Sequence, residues 1–427
     1  MDALEESRLS IREVDRQIAA LFEERMHLAG RVLEIKKARG RPAYDPVQEE
    51  EVLSRGLQDI SDPSLKEPYS RVLKGIVGVS RSLQEDLLEG NDPGSVLFRS
   101  GDIRYRITVG RDISGRASGL FDLDRKVLIV TDSGVPSEYS AAILSQCPQG
   151  SVFTLPQGEG NKTLASVESV LRELLSLGFT RSDAVIAVGG GTVGDIAGFA
   201  AACYERGIDW YCVPTTLLAQ ADASVGGKTA VNIAGVKNIA GAFHHPKGVL
   251  ADTATLRTLS PRCYAEGMAE IIKIAATCDA ALFSSLEDGS CGIEETVRKA
   301  VALKASIVGL DPHEDGLRSV LNFGHTVGHA IESAGSGIYH HGEAVAIGMT
   351  YFSGPEARGR IESLLLRYGL PVSDSFGAET LMQYASRDKK KSAAGYKTVW
   401  VDSIGSYRFR TLDEDGLRSV ILNHKQK

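Results

Sequence analysis

Apolar residues in the first 88 positions recur at alternating spacings of three and four, which predicts amphipathic helices. The first stripe consists of Ile11, Val14, Ile18, Leu21, Leu28, Val32 and Ile35. Prolines at positions 42, 46, 63 and 68 interrupt the pattern, so three helices are predicted, the third over about residues 69–88. Three helices enclose little core, and we therefore expect this unit to dimerise.

Beyond these helices, short β-branched runs alternate with helical patterns. Three such runs are predicted to be strands, at 127–130, 184–188 and 210–213. An amphipathic helix is predicted to begin at Thr163, between the first two runs. Strands that alternate with helices indicate a parallel sheet, so this part of the chain is predicted to have an α/β fold.

The patterns divide the chain into four segments. They are an all-α unit at 1–88, a linker at 89–99, an α/β unit at 100–259 and a mostly α-helical unit at 260–427. The linker is predicted from the polar stretch EGNDPGS, which contains glycine and proline. Within the last unit, a late strand pair is predicted at 396–401.

Composition and charge narrow the class of protein. Hydrophobic residues make up 43% and charged residues 24% of the chain, as in ordinary globular proteins. The net charge of −7 argues against nucleic acid or an anionic membrane as a partner. We expect neither a secretory signal nor a membrane span, because no suitable apolar run occurs. The six cysteines form no CxxC pattern, so they are expected to be reduced thiols of a cytoplasmic protein.

Two cations interrupt the first apolar stripe. Arg25 occupies a position where the spacing requires an apolar residue, and Lys36 follows about three helical turns later on nearly the same face. A cation there is costly unless an anion meets it, although the alternative is that both side chains extend to solvent. Polar residues four apart share a face elsewhere in the unit, namely Asp45 with Glu49 and Ser80 with Gln84.

Together with Arg8, these residues resemble the diagnostic positions of the all-helical chorismate mutase family, over about residues 5–88. The resemblance implies an intertwined dimer in which Arg25, Lys36 and Arg8 of the partner subunit hold the carboxylates of chorismate. Such a cage suits a rearrangement that needs no nucleophile. The alternative is a non-catalytic sensor of chorismate or prephenate that regulates the rest of the chain. Three residues that pure binding does not need favour catalysis, namely Asp45, Glu49 and Gln84.

A glycine cluster, GGGTVGD, lies between the predicted strand at 184–188 and an apolar helix. Glycines such as Gly190 and Gly191 let backbone N–H groups approach phosphate oxygens at a helix N-terminus. The string is not a strict GxGxxG, so alone it is a weak indication of a nucleotide site. Asp195 is either part of that site or only an acid in the first turn of the helix.

The next stretch, 214–246, places four polar residues among small and apolar ones, namely Asp222, Lys228, Lys237 and Asn238. Charged groups in such surroundings favour a ligand site over a solvated face, with helix capping as the alternative for Asp222. We therefore expect this stretch to line an active site.

Histidines and one glutamate form the sharpest pattern in the chain. Glu270 and Lys273 share a helical face. His325 and His329 share another, and His341 precedes an apolar helix. Two histidines and a carboxylate are a common catalytic zinc set, which leaves coordination positions open for a substrate. The spacing alone leaves open whether His329 or His341 is the second imidazole ligand.

Over about residues 100–420 the chain resembles the 3-dehydroquinate synthase family. The matching strings are GGGTVGD, PTTLLAQADASVGGKTAVN, GVKN, GMAEIIK, LNFGHTVGHAIE and HGEAVAIGM. The resemblance implies a Rossmann-like domain that carries NAD and a helical domain that carries Zn²⁺ or Co²⁺, with the active site in the cleft between them. It assigns the metal to Glu270, His325 and His341, and proton transfer to His329.

The same resemblance assigns further residues to each ligand. NAD contacts fall on Glu159, Lys162, Gly190, Gly191, Asp195, Thr215, Thr216, Lys237 and Thr258. Beside His329, the catalytic set comprises Lys228, Lys273, Lys304, Arg318 and Asn322. Substrate contacts fall on Asp222, Lys237, Asn238, Arg206 and one of Lys389 and Lys390, with Arg206 reaching across a dimer. The implied partners are small molecules and further copies of the chain, in a homodimer or larger assembly.

The implied reaction converts 3-deoxy-D-arabino-heptulosonate 7-phosphate into 3-dehydroquinate and phosphate, with NAD regenerated in each cycle. A substrate with a carboxylate and a phosphate requires a cationic pocket. Cyclases that make valiolone or inosose skeletons are the nearest alternative, but they tend to change the residues that here are Lys304, Asn322 and His329. An amino-variant of the same reaction and a metal-dependent polyol dehydrogenase are the further alternatives.

Overall fold

The computed structural model describes most of the chain, namely residues 3–39, 46–89, 94–314, 316–335, 337–386, 391–392 and 395–425. Contacts divide the chain into two compact units, Met1–Pro93 and Gly94–Lys427. The first unit is helical, and the second combines a mostly parallel sheet with helices, so the predicted fold class is confirmed. Among the described helices, none has the length and apolar character needed to cross a membrane.

The first unit contains the three predicted helices, α1 (Ala3–Ala38), α2 (Pro46–Gln58) and α3 (Lys66–Glu89). The predicted start of α3 near residue 69 is wrong, because Pro68 lies inside the first turn and not in the preceding loop. A proline is tolerated there, since the N–H groups of the first turn have no partner within the helix.

Few of the described side chains of this unit are buried. Leu33, Leu73 and Val77 form its small core, whereas the predicted stripe on α1 is largely exposed. Ile11 and Leu21, for example, are 59% and 65% exposed. A single copy therefore leaves a long apolar stripe in contact with water, which is the type of surface that a second copy buries.

Nine strands lie in the first part of the second unit. They are β1 (Ser95–Ser100), β2 (Ile103–Gly110), β3 (Lys126–Asp132), β4 (Gln149–Leu155), β5 (Ala184–Gly189), β6 (Asp209–Pro214), β7 (Lys228–Ile233), β8 (Val236–Phe243) and β9 (Gly248–Asp252). Seven of them form one sheet in the order β1-β2-β9-β6-β5-β3-β4, in which β1 and β2 are antiparallel and all other pairs are parallel. β7 and β8 form a separate antiparallel hairpin.

Four helices connect these strands. They are α4 (Ala117–Leu120), α5 (Ser137–Leu144), α6 (Leu164–Ser176) and α7 (Gly191–Cys203). Thr163 caps α6 as predicted, and its Oγ1 accepts a hydrogen bond from the Ser166 N–H at 3.2 Å. The three strands predicted from β-branched runs are confirmed as β3, β5 and β6.

Strand β1 occupies Ser95–Ser100 and overlaps the end of the stretch 89–99 that was predicted to be a linker. Its pairing with β2 stacks Phe98 on Tyr105, with ring centroids 4.6 Å apart. The prediction is therefore wrong at its C-terminal end, because the burial that defines this edge strand comes from its neighbour and not from the local pattern.

Helices dominate the rest of the second unit. They are α8 (Pro261–Cys278), α9 (Ala280–Asp288), α10 (Ile293–Leu310), α11 (His325–Gly335), α12 (His341–Tyr351), α13 (Pro355–Arg367), α14 (Ala378–Ala385) and α15 (Glu414–Lys425). A small antiparallel sheet accompanies them, formed by β10 (Lys391–Ser392), β11 (Gly395–Trp400) and β12 (Arg408–Leu412). The prediction of a strand pair at 396–401 is wrong in its bounds, because this stretch forms one strand, β11, and its partners β10 and β12 lie outside it. Buried residues of the large sheet and the helices form one continuous core, so the division at 259/260 stays a prediction.

Candidate active site

The three residues predicted to bind a metal converge in the second unit. Glu270 lies on α8, His325 begins α11 and His341 begins α12, and one ligand atom from each lies within 4.8 Å of the others. Both imidazoles direct Nε2 at Glu270 Oε1, which is 4.0 Å from His325 and 3.5 Å from His341. That oxygen is buried and has no hydrogen-bond partner among the described residues. A buried, unsatisfied carboxylate oxygen facing two imidazoles fits a divalent cation.

Glycines let the three helices approach closely enough for this geometry. A Cβ on Gly342 would lie 2.5 Å from Cα of Glu266 on α8. A Cβ on Gly348 would overlap the carbonyl oxygen of Gly324, and Gly324 itself has φ of +79°, which favours glycine. Larger side chains at these positions would therefore separate the helices that carry the ligands.

His329 lies one turn after His325 on α11. Its ring centroid is 5.2 Å from that of His325 and 6.0 Å from that of His341. The three-ligand group formed by the described residues contains His341 and not His329. The spacing left these two histidines as alternatives, and the structure places His341 against Glu270. Proton transfer by His329 stays a prediction.

Opposite charges surround the ligand group. His341 Nδ1 contacts Glu332 Oε2 at 3.1 Å, while its Nε2 faces Glu270. Burial opposes protonation, but the two carboxylates outweigh it and raise the pKa of His341 to about 10. Lys273 forms a buried ion pair with Glu270. Burial opposes both charges, yet the pairing holds the pKa of Glu270 well below its usual range and that of Lys273 above it.

A second group of buried charges lies on α10 and the turn that faces it. Nζ of Lys304 lies 2.8 Å from Oδ1 of Asp222 and donates to its carbonyl oxygen at 2.6 Å. Asp222 belongs to a π-helical turn, Ala219–Ala223, of a kind frequent at functional sites. Burial lowers the pKa of Lys304 and of Arg318, which also repel each other. Lys304 interacts electrostatically with Lys273 as well, so Lys273, Lys304 and Arg318 lie near one another.

Glu314, which the sequence pattern did not single out, contacts two further predicted residues. Its Oε2 lies 2.5 Å from Nζ of Lys228, and its Oε1 accepts a hydrogen bond from Nδ2 of Asn322 at 2.6 Å. Glu314 also interacts electrostatically with Arg318. Its loop, DPHEDG, has no helical or strand spacing that would have indicated this position.

The glycine cluster lies at the carboxyl edge of the parallel sheet. Gly190 caps α7 directly after β5, and Gly191 is the first residue of that helix. β5 is flanked by β3 and β6, and ligands of open α/β sheets bind at such edges. One cavity is lined by both glycines together with Asp195 and Lys228, so the turn adjoins the predicted substrate residues.

Threonines follow β6 at the same edge. The N–H of Thr215 donates to the carbonyl oxygen of Gly189 at 2.9 Å. A Cβ on Gly190 would lie 3.1 Å from Cγ2 of Thr216. Thr215 and Thr216 therefore adjoin the glycine turn as predicted from the resemblance, whereas the hydroxyl of Thr258 contacts Tyr139 at 2.8 Å.

Lys162 and Glu159 connect the turn ahead of α6 with neighbouring elements. Lys162 forms an ion pair with Asp195 and donates to Oδ1 of Asn238 at 2.6 Å. Burial raises the pKa of Asp195, although Lys162 opposes this shift. Glu159 accepts hydrogen bonds of 2.9 Å from two residues that sequence reasoning missed, namely Thr192 and Asn232. These four predicted residues therefore share one polar network.

Four predicted substrate residues remain. Lys237 on β8 forms an ion pair with Glu332, which brings the hairpin next to the histidine cluster. Arg206 is exposed on a turn in which Glu205, Arg206 and Gly207 all have positive φ, at 50°, 68° and 120°. Such strained backbone is frequent at functional sites. Lys389 and Lys390 lie outside the described residues.

In the first unit, Arg25 turns inward from the apolar stripe of α1. Its guanidinium donates to Oγ of Ser80 on α3 and to the carbonyl oxygen of Ile76 at 3.4 Å. Burial lowers the pKa of Arg25. Arg25 therefore does not extend to solvent, which was the alternative to a ligand cage.

The other predicted mutase residues have different surroundings. Arg8 is exposed, whereas Lys36 and Glu49 are half-buried and engaged in contacts. Asp45 and the side chain of Gln84 lie outside the described residues. The structure thus brings Arg25 and Ser80 together and leaves the remaining members of the site as predictions.

Comparison with known proteins bears on both units. Family models described as 3-dehydroquinate synthase N-terminal, 3-dehydroquinate synthase C-terminal and chorismate mutase type II match residues 152–266, 267–391 and 7–85. The 3-dehydroquinate synthase of Sulfurovum sp. is 39% identical over 349 residues, which cover 78% of this chain and 98% of that protein.

Two solved structures are also similar. The crystal structure of 2-deoxy-scyllo-inosose synthase with carbaglucose-6-phosphate, NAD⁺ and Co²⁺ has a TM-score of 0.70 and 26% identity, and covers 77% of this chain and 99% of its own. That of 2-epi-5-epi-valiolone synthase from Streptomyces hygroscopicus, with NAD⁺ and Zn²⁺ bound, has a TM-score of 0.69 and 26% identity, and covers 76% and 98%. The chain therefore belongs to the 3-dehydroquinate synthase family, and it carries a chorismate mutase type II domain ahead of the synthase domains.

Proposed function

We propose that the second unit converts 3-deoxy-D-arabino-heptulosonate 7-phosphate into 3-dehydroquinate and phosphate, with NAD and a divalent metal, Zn²⁺ or Co²⁺. The first unit converts chorismate into prephenate. One observation carries the synthase proposal: two imidazoles face the buried, unsatisfied Oε1 of Glu270, and buried basic side chains lie nearby. The names of the relatives support the same reaction.

Glu270, His325 and His341 hold the metal in this proposal. Three protein ligands leave coordination positions open for substrate oxygens. A divalent metal bound there supplies Lewis-acid polarisation of a substrate oxygen. Lys273, buried against Glu270, keeps that carboxylate charged before the metal arrives.

The glycine turn ahead of α7 holds the pyrophosphate of NAD, since its backbone N–H groups lie at a helix N-terminus. NAD supplies reversible hydride transfer at a substrate hydroxyl. The network around the turn orients the dinucleotide through side chains predicted from the resemblance, namely Glu159, Lys162, Asp195, Thr215, Thr216, Lys237 and Thr258. Water is excluded where these residues are buried, which applies to Lys162 and Thr215.

Buried cations bind the anionic groups of the substrate. Lys304 and Arg318 are 6% and 4% exposed, and without an anion they rely on Asp222 and nearby acids for compensation. A carboxylate or phosphate that enters the pocket supplies that compensation with charge-assisted hydrogen bonds. Lys228, Asn322 and the hairpin residues Lys237 and Asn238 complete the pocket, with Lys389 or Lys390.

His329 transfers a proton beside the metal-ligand group. It lies next to both ligand histidines but outside the three-ligand set, and an imidazole at such a position is a common general acid or base. The valiolone and inosose cyclases tend to change the residues that here are Lys304, Asn322 and His329, so the presence of all three favours a dehydroquinate product.

The proposed reaction is tested by incubating the full chain with the heptulosonate phosphate, NAD and Co²⁺ and measuring released phosphate. We expect release that requires metal and NAD and that is lost in His325→Ala. A protein that releases no phosphate, or releases it equally after chelation of the metal, would overturn the proposal. Net NADH formation from glycerol would point to a polyol dehydrogenase instead.

The mutase proposal is supported by the first unit taken by itself. Arg25 lies where α1 meets α3 and contacts Ser80, so a cation faces the interior that the resemblance assigns to chorismate. The exposed apolar stripe on α1 supports a homodimer or larger assembly, in which Arg8 of the partner subunit joins the site. The six free cysteines support a cytoplasmic protein.

Mutase activity is tested by prephenate formation from chorismate by the full chain. Arg25→Met should abolish it without changing phosphate release, whereas Arg31→Met, at an exposed position on the same helix, should keep both. No prephenate formation, combined with a change in phosphate release when prephenate is added, would support the sensor and overturn the mutase.

A further inference from the structure

Glu332 lies on α11 two helical turns after His325, so both side chains share one face of that helix. α11 and α12 approach closely, since a Cβ on Gly328 would lie 2.9 Å from the carbonyl oxygen of Ala344. The close approach places Glu332 beside His341, the first residue of α12. A residue outside the three-ligand set is thereby brought into contact with one of the ligands.

Both oxygens of Glu332 have partners. Oε2 lies 3.1 Å from Nδ1 of His341, and Oε1 accepts a hydrogen bond from Nζ of Lys237. The side chain is 12% exposed, so an unpaired charge there would be costly. One oxygen of the carboxylate is therefore fixed in position by a cationic partner, while the other oxygen faces the imidazole.

The two imidazole ligands are anchored in the same way on their far sides. Nδ1 of His325 meets the carbonyl oxygen of Phe323 at 3.1 Å, and Nδ1 of His341 meets Glu332. An acceptor at Nδ1 holds a proton on that nitrogen, so Nε2, which faces Glu270, is the nitrogen that would bind a metal. The group that faces Nδ1 of His341 is a carboxylate with a full negative charge, whereas the group that faces Nδ1 of His325 is a neutral carbonyl.

We propose that Glu332 is a positioning residue of the metal site, which orients His341, fixes its tautomer and strengthens its bond to the metal. The inference rests on the proposed metal at Glu270, His325 and His341. Partners of this kind typically change metal affinity roughly 10- to 100-fold when they are replaced. We therefore expect Glu332→Gln to weaken Co²⁺ binding by roughly that factor.

The alternative is that Glu332 only forms an ion pair with Lys237 that stabilises the fold. Lys237→Met removes this pair but keeps the contact with His341. Under the proposal, Lys237→Met lowers Co²⁺ affinity much less than Glu332→Gln. Equal losses in the two variants would overturn the proposal in favour of the ion pair.

The chain supplies a matched control in Glu266. This carboxylate is 13% exposed and lies 2.9 Å from Nδ1 of His340, the neighbour of His341 that is not in the ligand group. Glu266→Gln therefore makes the same chemical change beside a different histidine. We expect its Co²⁺ affinity to stay within about twofold of the unmodified protein, because the ring it faces is not a ligand.

Affinity is measured by competition between the purified full chain and a chelator, followed by the visible absorption of bound Co²⁺. Near- and far-ultraviolet circular dichroism confirms that each metal-free variant is folded. A protein that binds no Co²⁺ would overturn both the proposed function and this inference. Tight binding by the unmodified protein that Glu332→Gln leaves unchanged would overturn the inference alone, and so would an equal loss in Glu266→Gln.

Discussion

The ion pair between Lys273 and Glu270 makes the metal-free state sensitive to one substitution. The two side chains are 4% and 3% exposed. Lys273→Met keeps most of the side-chain volume but leaves the Glu270 carboxylate without its nearest cation. Removing one member of a buried pair costs about 3–5 kcal/mol. We expect the free energy of unfolding of the metal-free second unit to fall by about that amount at neutral pH.

Because of the same ion pair, the loss of stability in Lys273→Met should depend on pH and on Co²⁺. Lys273 helps hold the folded-state pKa of Glu270 well below its usual range. The stabilisation is therefore fully present above the unfolded pKa of about 4.3 and is lost as pH falls through the folded pKa. The difference between the two proteins should shrink in acid. Added Co²⁺ should recover part of the loss, because the bound cation compensates the Glu270 charge.

Tryptophan fluorescence can follow the unfolding of the second unit. The chain has two tryptophans, Trp210 and Trp400, and both belong to the second unit, so urea unfolding followed by their fluorescence reports on that unit. Lys299→Met is the control, since Lys299 is 38% exposed and its pair with Glu295 is worth about 0–1 kcal/mol. Equal losses in the two variants, or a loss in Lys273→Met that Co²⁺ does not reduce, would refute this reasoning.

Three further predictions concern packing, protonation and NAD. Gly348→Ala should lower both the free energy of unfolding in urea and the Co²⁺ affinity, because the new Cβ overlaps the carbonyl oxygen of Gly324. Gly359→Ala, which has open space around it on α13, should change neither free energy by more than about 1 kcal/mol. Equal effects of the two substitutions would contradict the packing argument. The pKa of His341 is raised to about 10 in the metal-free protein, so its imidazole is protonated at pH 7.5. Co²⁺ binding should therefore release about one proton, which a pH indicator detects. Binding without proton release would contradict the assignment of His341 as a metal ligand. Lys162→Met should weaken NAD binding, measured by calorimetry, by roughly tenfold or more, because Lys162 pairs with Asp195 at the glycine turn. Its Co²⁺ affinity should stay the same. Unchanged NAD affinity would show that Lys162 does not belong to the NAD site.

Local pattern predicted much of the fold. The helical stripe on α1, the cap at Thr163 and the β-branched strands β3, β5 and β6 all depend on nearby residues, and each is present. The linker prediction failed at β1, because the burial of Phe98 depends on Tyr105 of the next strand. The start of α3 was misplaced because a proline ends a helix in the interior but is tolerated in its first turn.

In the candidate site, too, the local sequence predicted some features and tertiary packing determined the others. Residue chemistry and spacing identified Glu270, His325 and two competing histidines, but tertiary packing was needed to place His341 against Glu270. Glu332 and Glu314 were missed because their partners come from other elements. The spacing of seven residues from His325 to Glu332 was a usable signal, since it places both on one helix face. The loop that carries Glu314 offered no comparable signal.

The central claim is that His341 binds the metal and His329 transfers a proton. Its most direct test compares His341→Ala and His329→Ala in the visible absorption of bound Co²⁺ and in phosphate release. We expect His341→Ala to lose the Co²⁺ spectrum, and His329→Ala to keep the spectrum and lose turnover. A Co²⁺ spectrum that survives in His341→Ala and disappears in His329→Ala would contradict the account.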